Sequence, residues 1–319
     1  MNARSADMYG DNMKPTVISL FAGCGGSSLG YHLAGFRELL AIDFDNDAVE
    51  SFKLNFDVPI WKRDIKEVTG KEIMEFCNIK SGELDILDGS PPCQGFSISN
   101  KNRNVNDCKN DLFMEYSRIL NDLQPKVFVM ENVTGIIKGE MKGRFLEILK
   151  ELKSLNYNVK CKRMNAKYYE VPQSRQRLIF IGVRKDLNQE PSYPKHYNKS
   201  IPIKDIIPKI QYYHDGQFNK RLKNNRNICC TIIKTPLMRF IENGIERKPT
   251  ISELKKLSSF PESFKLSGSF IQQWARIGNC VPPNFMKHIA LHIKDNILNK
   301  IHISEIGFKP EENDGIKSK

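Results

Sequence analysis

A cysteine that directly follows two prolines is the residue of this chain best suited to covalent chemistry. The motif Pro91-Pro92-Cys93-Gln94 comes just after residues 84–87, whose apolar pattern predicts a buried strand. Both prolines fix φ and neither donates a backbone hydrogen bond, so the cysteine is held stiffly. Ligands of open α/β sheets bind at strand ends. Cys93 is therefore a candidate nucleophile, provided that its surroundings favour the thiolate.

Two further polar groups lie at the ends of predicted strands. Glu131-Asn132-Val133 follows residues 127–130, and Gln173-Ser174-Arg175-Gln176-Arg177 precedes a strand predicted at 178–183. We expect these groups to converge with the cysteine on one site. A structural interpretation stays open for each, because an acid there can also cap a helix or form a salt bridge. Two arginines at i and i+2 can simply share one face of a surface strand.

A glycine-rich turn near the N-terminus indicates a nucleotide-binding unit. Phe21-Ala22-Gly23-Cys24-Gly25-Gly26 lies between a strand predicted at 16–21 and a helix predicted at 27–34. Glycines let a ligand approach the backbone, and the free amides of a helix N-terminus bind polar groups. A plain tight turn remains an alternative, because the spacing differs from the GxGxxG pattern that binds a dinucleotide pyrophosphate.

Two acids favour an adenosine ligand at this turn. Asp43 ends the second predicted strand, where an acid can bind ribose hydroxyls. Asp64, followed by Ile65, ends a third strand-like segment and can accept a hydrogen bond from an adenine amino group. Either acid alone could equally cap a helix. Because no GKS or GKT motif follows the turn, the pattern points to an adenosine cofactor without phosphates, S-adenosylmethionine.

The elements that must position these residues alternate between strands and helices. Strands are predicted at 16–21, 38–42, 84–87, 127–130, 158–163 and 178–183, and helices at 27–34, 45–55, 71–76, 111–123 and 142–154. Ser27 and Asp111 are the expected caps of two of these helices. The alternation predicts an α/β fold with a doubly wound, mostly parallel sheet. Further helices are predicted at 251–257, 270–276 and 283–297, the last with a continuous apolar face.

We expect five segments along the chain. Residues 1–14 form a flexible N-terminal tail, and 15–184 form the catalytic and cofactor-binding domain. Residues 185–247 form a small basic region, 248–304 return to the catalytic domain, and 305–319 form a polar tail. The basic region is rich in Pro, Asn and Lys with weak periodicity, which predicts a small lobe of irregular structure.

The composition indicates an intracellular protein, and its positive charge is compatible with an anionic partner. The 49 Lys and Arg against 37 Asp and Glu give a formal net charge of +12, which favours a polyanion but also fits simple solubility. The eight cysteines include no CxxC pair, so we expect reduced thiols and no metal site. No apolar run approaches the ~20 residues of a membrane span. The first 14 residues lack a signal core, and we therefore expect a cytoplasmic location without membrane contact.

The ordered motifs together resemble the DNA cytosine-5 methyltransferases of bacterial restriction–modification systems. The resemblance covers about residues 15–297. It rests on the glycine turn, Asp43, Asp64-Ile65, Pro91-Pro92-Cys93-Gln94-Gly95-Phe96-Ser97, Glu131-Asn132-Val133, Gln173-x-Arg175-x-Arg177 and Gly278-Asn279-Cys280-Val281. Motifs in the family's order and spacing make chance negligible. The resemblance implies the Rossmann-like fold of S-adenosylmethionine-dependent methyltransferases, with a small target-recognition lobe.

The resemblance implies a role for each catalytic residue. Cys93 would add to carbon 6 of a cytosine, which makes carbon 5 nucleophilic toward a methyl sulfonium. Glu131 would hold or protonate ring nitrogen 3, Arg177 would bind the carbonyl at position 2, and Arg175 would bind the base or its phosphate. Asn132 belongs to the same set. The base would be rotated out of the duplex and covered by a loop at about 94–110.

The resemblance also implies the cofactor contacts. The residues expected to hold S-adenosylmethionine, and S-adenosylhomocysteine as product, are Phe21, Ala22, Gly23, Gly25, Gly26, Asp43, Phe44, Asp64, Ile65, Pro92, Leu112, Asn279 and Val281. Two features depart from the family or have no role in it. Ser19 stands where the family often has an acid, and Cys229-Cys230-Thr231 has no catalytic assignment.

The implied partner is double-stranded DNA, together with a restriction endonuclease that acts on the same site. We expect a monomer whose basic region, 185–247, reads a short target sequence. Two other functions stay open. One is the tRNA-methylating branch of the family, although Gly95 after Gln94 looks more like the DNA enzymes. The other is a catalytically inactive DNA-binding module, against which the intact set of Cys93, Glu131 and two arginines argues.

Overall fold

The computed structural model describes residues 14–92, 112–139, 141–196, 199–214, 222–224 and 226–305. Cys93 and the loop predicted at 94–110 therefore lie outside the described residues, as does Asp111.

A seven-stranded mixed sheet carries the fold. Its strands are β1 (Thr16–Leu20), β2 (Arg37–Asp43), β3 (Ile60–Lys62), β4 (Ile86–Gly89), β5 (Val127–Val133), β6 (Tyr157–Asn165) and β7 (Gln176–Arg184). The order is β3-β2-β1-β4-β5-β7-β6, and the strands from β3 to β5 are parallel. β7 runs antiparallel to both β5 and β6. The mostly parallel sheet predicted from the alternating pattern is confirmed.

Helices cover both faces of this sheet. They are α1 (Gly26–Leu33), α2 (Asn46–Lys53), α3 (Gly70–Cys77), α4 (Leu112–Leu123), α5 (Met141–Ser154), α6 (Ile251–Leu257), α7 (Phe270–Asn279), α8 (Pro283–Ile293) and α9 (Asn299–Glu305). Tyr31 of α1 and Phe285 of α8 belong to one core cluster, whereas Tyr116 of α4 and Ile148 of α5 belong to the other. Burial on both faces explains the continuous apolar runs of the parallel strands. Among the described residues, no helix has the length and hydropathy that crossing a membrane requires.

Several helix boundaries differ from the sequence prediction, and α1 and α8 show two different reasons. α1 begins after Gly25, whose φ is 95°, and has no side-chain cap, so the prediction that Ser27 caps this helix is wrong. Because the helix begins at Gly26, directly after the glycine turn, Ser27 lies inside its first turn. At the other end, the helix predicted at 283–297 is α8 followed by one π-helical segment, Lys294–Leu298. Its apolar face is confirmed, because Phe285, Ile289 and Ile293 are all buried.

The basic region contains a small antiparallel sheet, where the sequence predicted irregular structure. Its strands β8 (Ile210–His214), β9 (Lys223–Asn224), β10 (Met238–Glu242) and β11 (Ile245–Arg247) lie in the order β11-β10-β8-β9. Tyr212 and Phe240 pack with Leu254 of α6 and Trp274 of α7. These strands are too short for an alternation of apolar and polar residues to stand out among the many Lys and Asn residues. The sequence therefore did not predict them. We call residues 185–247, which contain this sheet and the loops packed on it, the lobe.

Candidate active site at the strand ends

The glycine turn after β1 packs against the C-terminal motif. Gly23 has a φ of 57°, in the region that favours glycine. A Cβ on Gly26 would lie 2.3 Å from the carbonyl oxygen of Val281, so a larger residue would push the two segments apart. Cys24 and Cys280 are buried with their sulfur atoms 3.1 Å apart, and this hydrogen bond together with burial raises the pKa of Cys24. The turn and the C-terminal motif therefore lie side by side.

Asp43 ends β2 beside this turn. Its Oδ2 accepts a hydrogen bond from the Gly23 amide at 2.8 Å, and its Oδ1 accepts one from the Asp45 amide at 2.9 Å. Burial raises the pKa of Asp43, while these amides and Arg276 oppose the rise. The next residue, Phe44, is 68% exposed. A fixed carboxylate and an open aromatic face suit ribose hydroxyls and an adenine ring, so this strand end fits the predicted cofactor.

The other predicted cofactor residues occupy different environments. Asp64 is exposed, and its Oδ1 accepts from the Lys66 amide at 3.1 Å, so it caps the short 3-10 helix Ile65–Glu67. The capping alternative is thus realised, and contact of Asp64 with adenine stays a prediction. In the remaining set, Ala22, Ile65 and Val281 are buried, Phe21, Pro92 and Leu112 are half-buried, and Asn279 is exposed.

Glu131 and Arg177 form a close ion pair on adjacent strands. The Nε atom of Arg177 lies 2.6 Å from Oε1 of Glu131, and 14% and 11% of the two side chains are exposed. In the antiparallel register Arg177 is opposite Val133, which places it diagonal to Glu131 on the same face of the sheet. The structure therefore brings together the two residues to which the family resemblance assigns base contacts.

Asn132 connects β5 to the proline pair. Its side-chain amide donates to the carbonyl oxygen of Pro91 at 3.3 Å, and its Oδ1 accepts from the Val133 amide at 2.8 Å. Because successive residues of a strand point to opposite faces, Asn132 does not share the face of Glu131. Its contact holds the backbone that leads into Cys93, and it takes no part in the Glu131–Arg177 pair.

Arg175 lies in a buried joint between the sheet and the lobe. It is 2% exposed, and its Nη1 donates to the carbonyl oxygens of Ile232 and Gly278 at 3.0 Å each. The amide of Ser174 donates to the Cys229 carbonyl at 2.7 Å in the same joint. The structure thus gives Arg175 backbone partners rather than an open position, and it gives the Cys229-Cys230-Thr231 segment a structural role.

Two titratable residues near the site were not identified from the sequence patterns. Asp88 of β4 is buried and accepts from the Tyr31 hydroxyl at 3.2 Å, and burial raises the pKa of Asp88 to about 8. An acid inside an apolar strand just before the proline pair is a signal that could have found it. Arg276 of α7 forms an ion pair with Asp45, with 2.7 Å between Nη1 and Oδ1. The local sequence does not predict a role for Arg276, because its partner Asp45 lies in a distant part of the sequence.

Comparison with known proteins finds similar sequences and similar folds. The family model for C-5 cytosine-specific DNA methylase matches residues 15–234 and 211–295. The chain is 31% identical over 328 residues to the Type II methyltransferase M1.HphI of Haemophilus parahaemolyticus, covering 87% of this chain and 86% of that protein. It is 29% identical over 333 residues to the Type II methyltransferase M.NgoPII of Neisseria gonorrhoeae, covering 88% and 96%.

Solved structures share the fold at lower identity. One is a DNA modification methyltransferase encoded within a prophage of E. coli, with a TM-score of 0.73 and 23% identity over 90% of this chain and 100% of that chain. Another is a DNMT2 mutant of Spodoptera frugiperda, with a TM-score of 0.66 and 20% identity over 91% and 100%. Both likenesses concern the arrangement of the sheet and its helices.

Proposed function

Because the chain belongs to the C-5 cytosine-specific DNA methylase family and is a DNA cytosine-5 methyltransferase, we propose that it methylates carbon 5 of a cytosine flipped out of duplex DNA, with S-adenosylmethionine as the donor. The observation that carries this proposal is the Glu131–Arg177 ion pair. It presents a carboxylate on β5, the neighbour of β4, and a guanidinium on β7, the strand beyond β5, while β4 leads to Cys93.

In the proposed reaction, the Cys93 thiolate adds to carbon 6 and turns the ring into an enamine. Glu131 holds ring nitrogen 3, and Arg177 binds the carbonyl oxygen at position 2, so charge that develops on the ring is met by fixed groups. Their mutual contact of 2.6 Å orients both side chains before the base arrives. S-adenosylmethionine would supply the methyl group to carbon 5 and leave as S-adenosylhomocysteine. Loss of the carbon-5 proton to water and expulsion of Cys93 would then give 5-methylcytosine. Asn132 supports the addition of Cys93, because its side chain donates to the Pro91 carbonyl and so holds the backbone before the cysteine.

The glycine turn and the end of β2 would hold the cofactor. S-adenosylmethionine supplies the electrophilic methyl group. Asp43 is the proposed acceptor for ribose hydroxyls, because two backbone amides already fix its carboxylate. Phe44 offers its exposed ring to the adenine, and the C-terminal motif with Asn279 and Val281 closes the other side of the turn.

The lobe is the proposed reader of the target sequence. Several of its basic residues are exposed in the described ranges: Lys199, Lys204, Lys209, Arg226 and Lys234. A cationic surface attached to the site by the Arg175 joint suits a DNA backbone. Action as a monomer in the bacterial cytosol, beside an endonuclease with the same target, belongs to this proposal.

The test measures methyl transfer from radiolabelled S-adenosylmethionine to duplex DNA and, separately, to tRNA. We expect label in DNA, and bisulfite sequencing of the product identifies the target cytosine. Cys93→Ser should lose transfer while keeping cofactor affinity. Cys77→Ser is the matched control, since burial raises the pKa of Cys77 to about 11 and leaves it a thiol in α3.

Covalent catalysis is checked with DNA in which the target cytosine carries fluorine at carbon 5. Fluorine replaces the carbon-5 proton and cannot leave as a cation, so Cys93 is not expelled and its adduct should accumulate as a complex that survives denaturation. Label in tRNA with inert DNA would contradict the choice of substrate. Unchanged turnover by Cys93→Ser would contradict the choice of nucleophile.

A further inference from the structure

A polar seam joins α7 to the start of α2. The guanidinium of Arg276 lies 2.7 Å from Oδ1 of Asp45. One turn earlier, the side-chain amide of Gln272 donates to Oδ2 of Asp47 at 2.6 Å. The seam therefore links a helix of the C-terminal segment to the strand end where the cofactor is proposed to bind.

The seam continues directly to the proposed ribose acceptor. Asp45 caps α2, with its Oδ1 accepting from the Ala48 amide at 2.9 Å. Its own amide donates to Oδ1 of Asp43. An unbroken series of contacts thus runs from Arg276 through Asp45 to Asp43, and from there to the Gly23 amide.

The charges around Asp43 single out Arg276 as the cation that acts on it. Beside the effect of burial, the carboxylate charge of Asp45 raises the pKa of Asp43 although the Asp45 amide lowers it, and the charge of Arg276 lowers it. Two cations stand on the neighbouring β3 side, but they are engaged elsewhere. Lys62 donates to the Asn46 side chain at 2.7 Å, and Arg63 pairs with Glu72 at 3.1 Å.

The helix that carries Arg276 is itself firmly placed. Trp274 is 1% exposed, and its indole Nε1 donates to the Ile233 carbonyl of the lobe at 2.9 Å. Ile277 is buried in the same cluster as Trp274. Arg276 therefore projects from a helix anchored on both sides of the charged residue.

We propose that Arg276 is a positioning residue for the cofactor, which holds Asp45 and thereby keeps the Asp43 carboxylate in place for the ribose hydroxyls. This inference rests on the proposed function, because it takes S-adenosylmethionine as the ligand of Asp43. Arg276 acts through Asp45 and by its charge.

The test compares full-length wild type with Arg276→Met and Arg276→Lys by isothermal titration calorimetry with S-adenosylhomocysteine, across about pH 5 to 9. Arg276→Met should weaken binding about tenfold at neutral pH, as loss of one charge-assisted contact predicts. Removing the cation raises the pKa of Asp43 further, so binding should fail at a higher pH than in wild type as the solution is acidified. Arg276→Lys should keep most of the affinity and the wild-type pH profile.

Gln272→Leu is the matched control, because it breaks the same seam without removing a charge near Asp43. It should weaken binding little and leave the pH profile unchanged. A pH-independent loss of the same size in Arg276→Met and Gln272→Leu, or no loss in Arg276→Met, would overturn the proposal. Arg276→Gln serves for the comparison if the Met variant does not fold. Failure of the wild type to bind S-adenosylhomocysteine would instead reject the proposed function.

Discussion

The polar residues of this site form contacting pairs, and in each pair one residue holds the other group in position. Arg177 orients Glu131, and Asn132 holds the carbonyl of Pro91. Groups that are oriented by the protein in advance need no rearrangement when charge develops on a substrate. The proposed chemistry should therefore be more sensitive to changes of these residues than the stability of the fold.

Glu131→Gln tests this argument at the residue scale. The amide keeps the size of the side chain but removes the carboxylate that faces Arg177. We expect the single-turnover rate of methyl transfer to fall by about 10²- to 10³-fold, the range typical for loss of a general acid or base. The affinity for S-adenosylhomocysteine should not change, because the proposed ribose contact lies on β2.

Glu151→Gln is the control for the same chemical change elsewhere. Glu151 of α5 accepts from the Ser117 hydroxyl at 2.8 Å within the helical layer. Its variant should methylate at the wild-type rate. Comparable losses in both variants would show that the effect on Glu131 is general rather than catalytic.

At the scale of elements, α7 belongs to two packed regions at once. Trp274 and Ile277 lie in the core of the lobe, while Cys280, just after the helix, packs with Cys24 and Phe52 near the glycine turn. A Cβ on Gly278 would lie 2.4 Å from the carbonyl carbon of Ile233. The end of α7 and the lobe therefore touch backbone to backbone, which leaves no room for adjustment by side chains.

Gly278→Ala should therefore separate these elements. We expect a loss of about 1–3 kcal/mol in the free energy of unfolding, as for other overpacked sites, measured by urea denaturation. Gly143→Ala is the matched control, because this exposed glycine in α5 has no atom within 4 Å of the added Cβ. That variant should gain up to about 1 kcal/mol from helix propensity. Equal effects of the two substitutions would contradict the close contact at Gly278.

Elements governed by local patterns could be predicted, and those governed by distant partners could not. The sheet strands follow from buried apolar runs, and α6 spans the predicted residues because Thr250 forms a capping box with Glu253. By contrast, the burial of Arg175 depends on the carbonyls of Ile232 and Gly278, far away in the sequence. The role of Arg276 depends likewise on Asp45. Motif spacing identified candidate residues, but only the fold separates the Glu131–Arg177 ion pair, the proposed base-binding pair, from the residues that support it.

On the scale of the whole molecule, an excess of twelve positive charges accompanies a lobe attached beside the strand ends. Non-specific attraction to DNA depends on how many phosphates the protein neutralises, which makes affinity fall linearly with salt on logarithmic axes. Lys234 is exposed and follows Ile233, whose carbonyl binds Trp274 at the junction of lobe and α7. We therefore expect this lysine to contact a phosphate of bound DNA.

Lys234→Gln should therefore reduce the salt slope of duplex DNA binding by about one, the value for one lost phosphate contact. The measurement is fluorescence anisotropy with labelled duplex between about 50 and 200 mM salt, where such contacts dominate. Lys80→Gln removes the same charge from an exposed residue before β4, at the end of that strand opposite the site. Its slope should match wild type. If both variants lower the slope equally, net charge alone governs binding, and Lys234 has no special position on the DNA.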